Sequence, residues 1–95
     1  MIVWVWDARG PDRGAGGVAD DEKRARKLAR ASLLATGARD VLVEQALTAL
    51  DATTLIYGYA RTGQGWRGHR TPRGRVTWRR LTAADTARER TTARA

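Results

Sequence analysis

The chain has 95 residues, of which 42% are hydrophobic, and a net charge of +8 at pH 7. This length allows one domain with a modest core and is too short for two. The absence of cysteine excludes a disulfide framework and thiolate chemistry, and no apolar run is long enough for a signal peptide or a membrane span, so we expect a cytoplasmic protein.

The first predicted element is a strand over Ile2 to Asp7. Apolar side chains fall on both of its faces, which is typical of a central strand that is covered on both sides. The stretch from Gly10 to Gly17 (GPDRGAGG) is too rich in glycine for regular structure, so it is predicted to be a flexible connection. It matches neither of the common glycine-rich phosphate-binding motifs.

A helix is predicted from about Asp20 to Thr36, with an aspartate N-cap and with Gly37 just past its end. Five bases lie on this helix: Lys23, Arg24, Arg26, Lys27 and Arg30. Asp20 and Glu22 precede Arg24 and Arg26 by four residues, the favourable spacing for helical ion pairs. We therefore interpret the basic face as solvated and self-neutralised, with secondary phosphate contacts open to Lys27 and Arg30.

Residues Asp40 to Asp51 fit two patterns. Val43, Ala46, Leu47 and Leu50 match one face of an amphipathic helix, whereas alternation from Val41 to Leu47 fits a strand less well. The helical interpretation is favoured, and the strand remains open.

From Thr54 onward the sequence is β-branched, aromatic and interrupted by glycine, which predicts strands near 54–60, 65–71 and 75–81. The predicted fold is α+β: an N-terminal strand and one or two helices packed on a C-terminal antiparallel β-meander. The domain is predicted to span residues 1–81. No large apolar residue follows Leu81, so residues 82–95 are predicted to be a frayed or disordered basic tail.

The turn from Thr71 to Gly74 predicts the register of the last hairpin. Pro72 fixes φ near −65°, which excludes the two-residue hairpin turns and favours a type I turn followed by a left-handed Gly74. Arg67 then lies opposite Arg79. One face of the hairpin carries Trp66, Gly68, Arg70, Val76, Trp78 and Arg80, and the other carries Arg67, His69, Thr71, Arg75, Thr77 and Arg79. The tryptophans are predicted to pack in the core rather than to stack on bases.

The positive charge is concentrated in this hairpin. Residues 61–80 contain seven arginines and no acid, whereas residues 1–60 contain eight bases and eight acids. Arginines placed opposite each other repel unless an anion binds them. The pattern predicts nucleic-acid binding, most readily to duplex DNA through a two-stranded ribbon. The predicted nucleic-acid-binding residues are Arg61, Arg67, His69, Arg70, Thr71, Arg73, Arg75, Thr77, Arg79 and Arg80.

Catalysis has few candidate residues, because the chain contains one histidine, one serine and no cysteine. We therefore expect that the protein is not an enzyme, and that it has no cofactor, no metal site and no membrane partner. The alternative function is an interaction module or inhibitor that docks the arginine strip on an acidic protein. An exposed edge strand could also pair two copies into a homodimer.

Three segments carry a resemblance: W4-V-W-D7, G58-Y-A-R-T-G-Q-G-W66 and G74-R-V-T-W78. They resemble small proteins of GC-rich actinobacteria found in phage or integrative-element gene sets. This resemblance covers the start and the last third of the domain and implies no activity or site. More loosely, the W-x-x-R…G-R hairpin is similar to the β-sheet DNA-reading modules at the front of some integrases.

Overall fold

The computed structural model describes residues 2–50 and 57–85. Its elements, in chain order, are β1 (Ile2–Arg9), β2 (Gly14–Ala19), α1 (Glu22–Thr36), β3 (Asp40–Leu50), β4 (Tyr57–Arg70) and β5 (Val76–Arg80). The strands form one antiparallel sheet in the order β2-β1-β3-β4-β5. Helix α1 packs over β1, β2 and β3 on one face, so the α+β class and the N-terminal strand are confirmed.

The predicted second helix over residues 40–51 is wrong, because residues 40–50 form the central strand β3; Asp51 lies outside the described residues. Val41 and Val43 point towards α1 and are buried, while Ala46 is buried on the opposite face. A strand with apolar residues on both faces satisfies the spacing of a helix as well as that of a strand. β-Branched valines at alternate positions favour the strand.

The predicted flexible connection over residues 10–17 is also wrong in its second half, which forms strand β2. Trp6 lies directly opposite Gly17 in the register of β1 and β2. A Cβ atom on Gly17 would lie 2.5 Å from the Trp6 ring, so the indole occupies the space that a side chain would need. Glycine here accommodates a buried tryptophan within the sheet rather than interrupting it.

The helix begins and ends as expected. The Asp21 carboxylate accepts a hydrogen bond from the Arg24 backbone N–H at 2.9 Å, and Gly37 adopts a left-handed conformation with φ of 71°. Ala25, Ala29 and Leu33 are fully buried against the sheet. We call the side of the sheet that carries α1 the helix face, and the opposite side the outer face.

The hairpin register predicted from Pro72 is confirmed. Gly74 has φ of 81° and donates to the Thr71 carbonyl at 2.9 Å, which closes the turn around Pro72. Arg67 pairs with Arg79 and Gly68 with Trp78. Trp66, Gly68, Val76 and Trp78 are therefore on the helix face, as predicted.

Strand β4 is a single long strand where two strands were predicted near 54–60 and 65–71. It bulges at residues 62–64, where the register against β3 shifts between Glu44 and Ala46. Gly63 has φ of 83°, and its N–H donates to the Glu44 carboxylate at 2.8 Å. The bulge therefore lets one strand span both predicted segments. Residues 54–56 lie outside the described residues.

The C-terminal part of the described chain returns to the sheet. Leu81 donates its N–H to the Gly65 carbonyl at 3.0 Å, and Asp85 is buried. The rest of the predicted tail, residues 86–95, lies outside the described residues. Helix α1 is too short and too polar to cross a membrane, and the described part of the chain contains no helix that could.

Candidate nucleic-acid interface

An aspartate lies between the two opposed arginines of the hairpin. The Asp85 carboxylate accepts from Arg67 at 3.0 Å and from both terminal nitrogens of Arg79 at 2.7 and 2.9 Å. It also accepts from the backbone N–H and the hydroxyl of Thr82, each at 2.9 Å. The expectation that a bound polyanion neutralises Arg67 and Arg79 is therefore wrong, because the chain supplies its own carboxylate. We call Arg67, Arg79 and Asp85 the arginine clamp.

The clamp extends across the outer face to β3. Arg67 also donates to Asp40 at 3.0 Å, and Asp40 contacts the His69 ring nitrogen at 2.8 Å. Cations and carboxylates alternate along this row. This row is therefore a nearly neutral network instead of the free cationic strip that the sequence suggested.

The pKa values of the two aspartates reflect these contacts. Hydrogen bonds from Arg79 above all, and from Thr82 and Arg67, hold the pKa of Asp85 far below its ordinary value of 3.8. Burial raises the pKa of Asp40, but the hydrogen bonds from Arg67 and His69 outweigh burial and lower it. The pKa values of Arg67 and Arg79 are both raised. The largest cause is the hydrogen bond to Asp40 for Arg67 and the hydrogen bond to Asp85 for Arg79. Both carboxylates are thus ionised at neutral pH.

The remaining predicted residues fall into three groups. Arg61 pairs with the buried Glu44 carboxylate at 3.6 Å. On the outer face and at the turn, His69, Arg73, Arg75 and Thr77 are exposed and Thr71 is half-buried. Arg70 and Arg80 lie on the helix face, away from the clamp. The structure therefore brings together only part of the predicted set and divides the arginines between the two faces.

A different cationic surface lies on the helix face. Lys23, Arg26, Lys27 and Arg30 recur at intervals of three and four residues, which places them on one side of α1. They line an open groove of about 1090 Å³ that reaches Trp78 on β5. The groove is also lined by Asp21, Glu22, Arg24 and Leu28. We call this groove, with Trp78 as its floor, the basic groove.

Two tryptophans position the guanidinium groups of the basic groove. The Arg26 guanidinium carbon lies 4.5 Å from the Trp66 ring centroid and 4.9 Å from that of Trp78. Arg80 lies 4.3 Å from the Trp66 ring. Stacking on an indole holds a guanidinium in place and leaves its N–H groups able to bind an anion.

The expected ion pairs within α1 are not formed. Glu22 accepts from the Trp66 indole N–H, and Asp21 caps the helix. Within residues 2–50 and 57–85, no carboxylate lies within 4 Å of a cationic atom of the four groove residues on α1. The interpretation of this face as self-neutralised is therefore wrong. The three-and-four spacing of its bases was the sequence signal that could have identified the groove.

Comparisons with known proteins add no relative: no protein-family model, curated protein or solved structure matches the chain. The functional argument therefore depends on the geometry of the two faces.

Proposed function

We propose that this protein binds nucleic acid, and duplex DNA in particular, through the basic groove. The observation that carries the proposal is the stacking of Arg26 on both Trp66 and Trp78, beside three further cations of α1 that have no carboxylate partner in the described chain. A focused group of unpaired cations attracts a polyanion far more strongly than the same charges neutralised in ion pairs.

The groove suits phosphates better than bases. The faces of the Trp66 ring that could stack a base already contact Arg26 and Arg80, and Trp78 contacts Arg26. A base would have to displace these guanidinium groups before it could stack. The guanidinium N–H groups, in contrast, are suited to bind phosphate oxygens in pairs.

The length of the cationic row fits one nucleic-acid strand. Lys23 and Arg30 are seven residues apart on α1, which corresponds to about 10 Å along the helix axis. One strand of B-DNA advances about 3.4 Å per phosphate along the duplex axis, so the row covers about three phosphates. Sequence-independent contact with one backbone follows from this spacing.

One observation favours a second candidate function. Leu28 is exposed and lines the same groove as Trp78, which would give an acidic amphipathic segment of another protein apolar contacts as well as charges. Such a partner would depend on a few central residues and less on salt than a phosphate backbone does.

The test is a titration of labelled duplex DNA, single-stranded DNA and RNA at two salt concentrations. We expect the duplex to bind, with a log–log salt slope of about −0.9 per contacted phosphate, or roughly −3 for three contacts. Tight binding of single strands with weak duplex binding would assign the groove to unpaired nucleic acid instead. No binding to any of the three at low salt would contradict the proposal.

A matched pair of variants locates the contact. Lys27→Ala with Arg30→Ala removes two charges from the basic groove, whereas Arg9→Ala with Arg13→Ala removes two from the region between β1 and β2, away from the groove. We expect the first variant to reduce the salt slope by about 1.8 and the second to leave it nearly unchanged. Equal effects would mean that total charge, and not the groove, determines binding.

A further inference from the structure

We propose that two copies of this chain pair antiparallel through the edge of β5, with Trp78 opposite its counterpart. Strand β5 ends the described sheet and has no neighbouring strand on its far side within residues 2–50 and 57–85. The pairing itself does not depend on nucleic-acid binding. Its consequence for the basic groove rests on the proposed function.

The hydrogen bonds of β5 show which backbone groups are directed to the free edge. Thr71 donates to the Arg75 carbonyl at 2.7 Å, and Leu81 donates to the Gly65 carbonyl at 3.0 Å. Hydrogen-bonded positions alternate along an antiparallel ladder, so the odd-numbered residues of β5 bond to β4. The N–H and C=O groups of Val76, Trp78 and Arg80 therefore point away from the sheet and are placed to pair with another strand.

Charge and the length of β5 together select the register. A two-fold axis at Val76 would place residues 77–80 opposite the turn residues 72–75 instead of opposite β5. With the two-fold axis at Trp78, Thr77 lies opposite Arg79 of the second copy and Val76 lies opposite its Arg80, so no arginine faces an arginine. Moving the axis to Thr77 would place Arg75 opposite Arg79 of the second copy. Moving it to Arg79 would place the Arg79 residues of the two copies opposite each other. Like charges directly opposite each other destabilise a sheet. The Trp78 register also brings the free-edge groups of both strands into hydrogen-bonded pairs.

The other edge of the sheet is a poorer candidate. Strand β2 has glycine at positions 14, 16 and 17 and offers few side chains to define a register. At β5, in contrast, Trp78 is half-buried in each copy, and pairing would cover more of its ring. Hydrophobic contact between the two indoles supports the backbone bonds.

Pairing at β5 would join two basic grooves. Trp78 on β5 forms the groove floor in each copy, so the two paired β5 strands would make one floor between the two α1 helices. Each chain carries a charge of +8, so the copies repel each other at low salt. Salt screens this repulsion, and a bound polyanion would neutralise it.

Cross-linking in high salt tests the dimer separately from nucleic-acid binding, which high salt suppresses. The chain has no cysteine, so Thr77→Cys introduces a unique thiol on the outer face of β5. In the Trp78 register, the two Thr77 positions are diagonal neighbours about 7–8 Å apart. A bis-maleimide of that span should cross-link Thr77→Cys into dimers. The matched control Val18→Cys, exposed on β2, should remain monomeric. Equal cross-linking of the two variants, or none of Thr77→Cys, would overturn the proposal.

A second pair of variants tests the backbone contact. Arg80→Pro and Arg80→Ala both remove the guanidinium, but only proline removes the N–H that points to the free edge. Light scattering in high salt should show a dimer for Arg80→Ala and a loss of about tenfold or more in dimer affinity for Arg80→Pro. Circular dichroism would show that both variants are folded. Identical dimer affinities in folded variants would contradict the register, whether or not the wild type binds DNA.

Discussion

Arginines on the two faces of the β4–β5 hairpin have different kinds of partner. On the outer face, Arg67 and Arg79 share the Asp85 carboxylate, and Arg67 also reaches Asp40. On the helix face, Arg80 and the nearby Arg26 of α1 stack on tryptophan and contact no carboxylate in the described chain. The outer arginines hold the C-terminal segment to the sheet, whereas those on the helix face keep their charge available.

The number of arginines on a strand therefore does not measure the electrostatic field of that strand. A carboxylate within hydrogen-bonding distance cancels most of an arginine's long-range field, and that carboxylate can come from anywhere in the chain. An indole, in contrast, orients a guanidinium without neutralising it. Among these arginines, those on the helix face should therefore matter for binding, and those on the outer face for holding the C-terminal segment to the sheet.

The largest expected effect is the loss of stability on removing the Trp78 ring. Trp78→Ala should destabilise the fold by about 3 kcal/mol, because the ring packs over Gly68 and against the core and would leave a cavity. Urea unfolding measures this change. Tyr59→Ala, which removes a mostly exposed ring from β4, should cost less than about 1 kcal/mol. Similar losses for both variants would show that Trp78 is not a core residue.

The hairpin was predictable because its determinants are local. Pro72 restricts one backbone angle and Gly74 permits another, and together they determine the pairing of Arg67 with Arg79. Alternation along the two strands then places Trp66 and Trp78 on the same face. The charge balance suggested a bound polyanion between these two arginines, whereas the anion there is the chain's own Asp85.

The features that could not be predicted from the sequence depend on contacts between residues that are far apart in the chain. The glycines of β2 indicated a loop because nothing in their own neighbourhood shows that Trp6 covers Gly17. The sequence of β3 favours a helix because apolar residues on both faces remove the alternation that identifies a strand. Asp85 lies in a segment of small and polar residues, where no local pattern indicates that it turns back onto Arg67 and Arg79.

A smaller loss of stability is expected when the arginine clamp is opened. Asp85→Ala leaves Arg67 and Arg79 opposed without their shared carboxylate and removes the acceptor for Thr82. We expect a cost of about 2 kcal/mol, below the range for fully buried pairs because Arg79 is half-exposed. Urea unfolding would measure it, with Asp12→Ala, an exposed acid before β2, as the control. If Asp85→Ala is as stable as the control, the clamp does not support the fold.

The pH dependence of stability should isolate the same carboxylate. The folded-state pKa of Asp85 is lower than the unfolded value near 3.8, so its contribution is complete above about pH 5 and is lost as pH falls towards the folded value. Asp40 contributes in the same direction. Urea midpoints between about pH 2 and 6 should fall more steeply for the wild type than for Asp85→Asn. Parallel pH profiles would mean that the clamp does not hold the carboxylate ionised.

The smallest effect is expected from a cation on the outer face that has no carboxylate partner among the described residues. Arg75 is exposed, and it lies on the side of the hairpin opposite the basic groove. Arg75→Ala and Lys27→Ala each remove one positive charge, so any effect of net charge is the same in both. We expect duplex affinity to fall about fivefold for Lys27→Ala and less than twofold for Arg75→Ala at moderate salt, because only the lysine would contact a phosphate directly. Fluorescence anisotropy with one labelled duplex measures both changes. A larger loss for Arg75→Ala would move the interface to the outer face and the turn, and the arginine clamp would then lie beside the nucleic acid instead of opposite it.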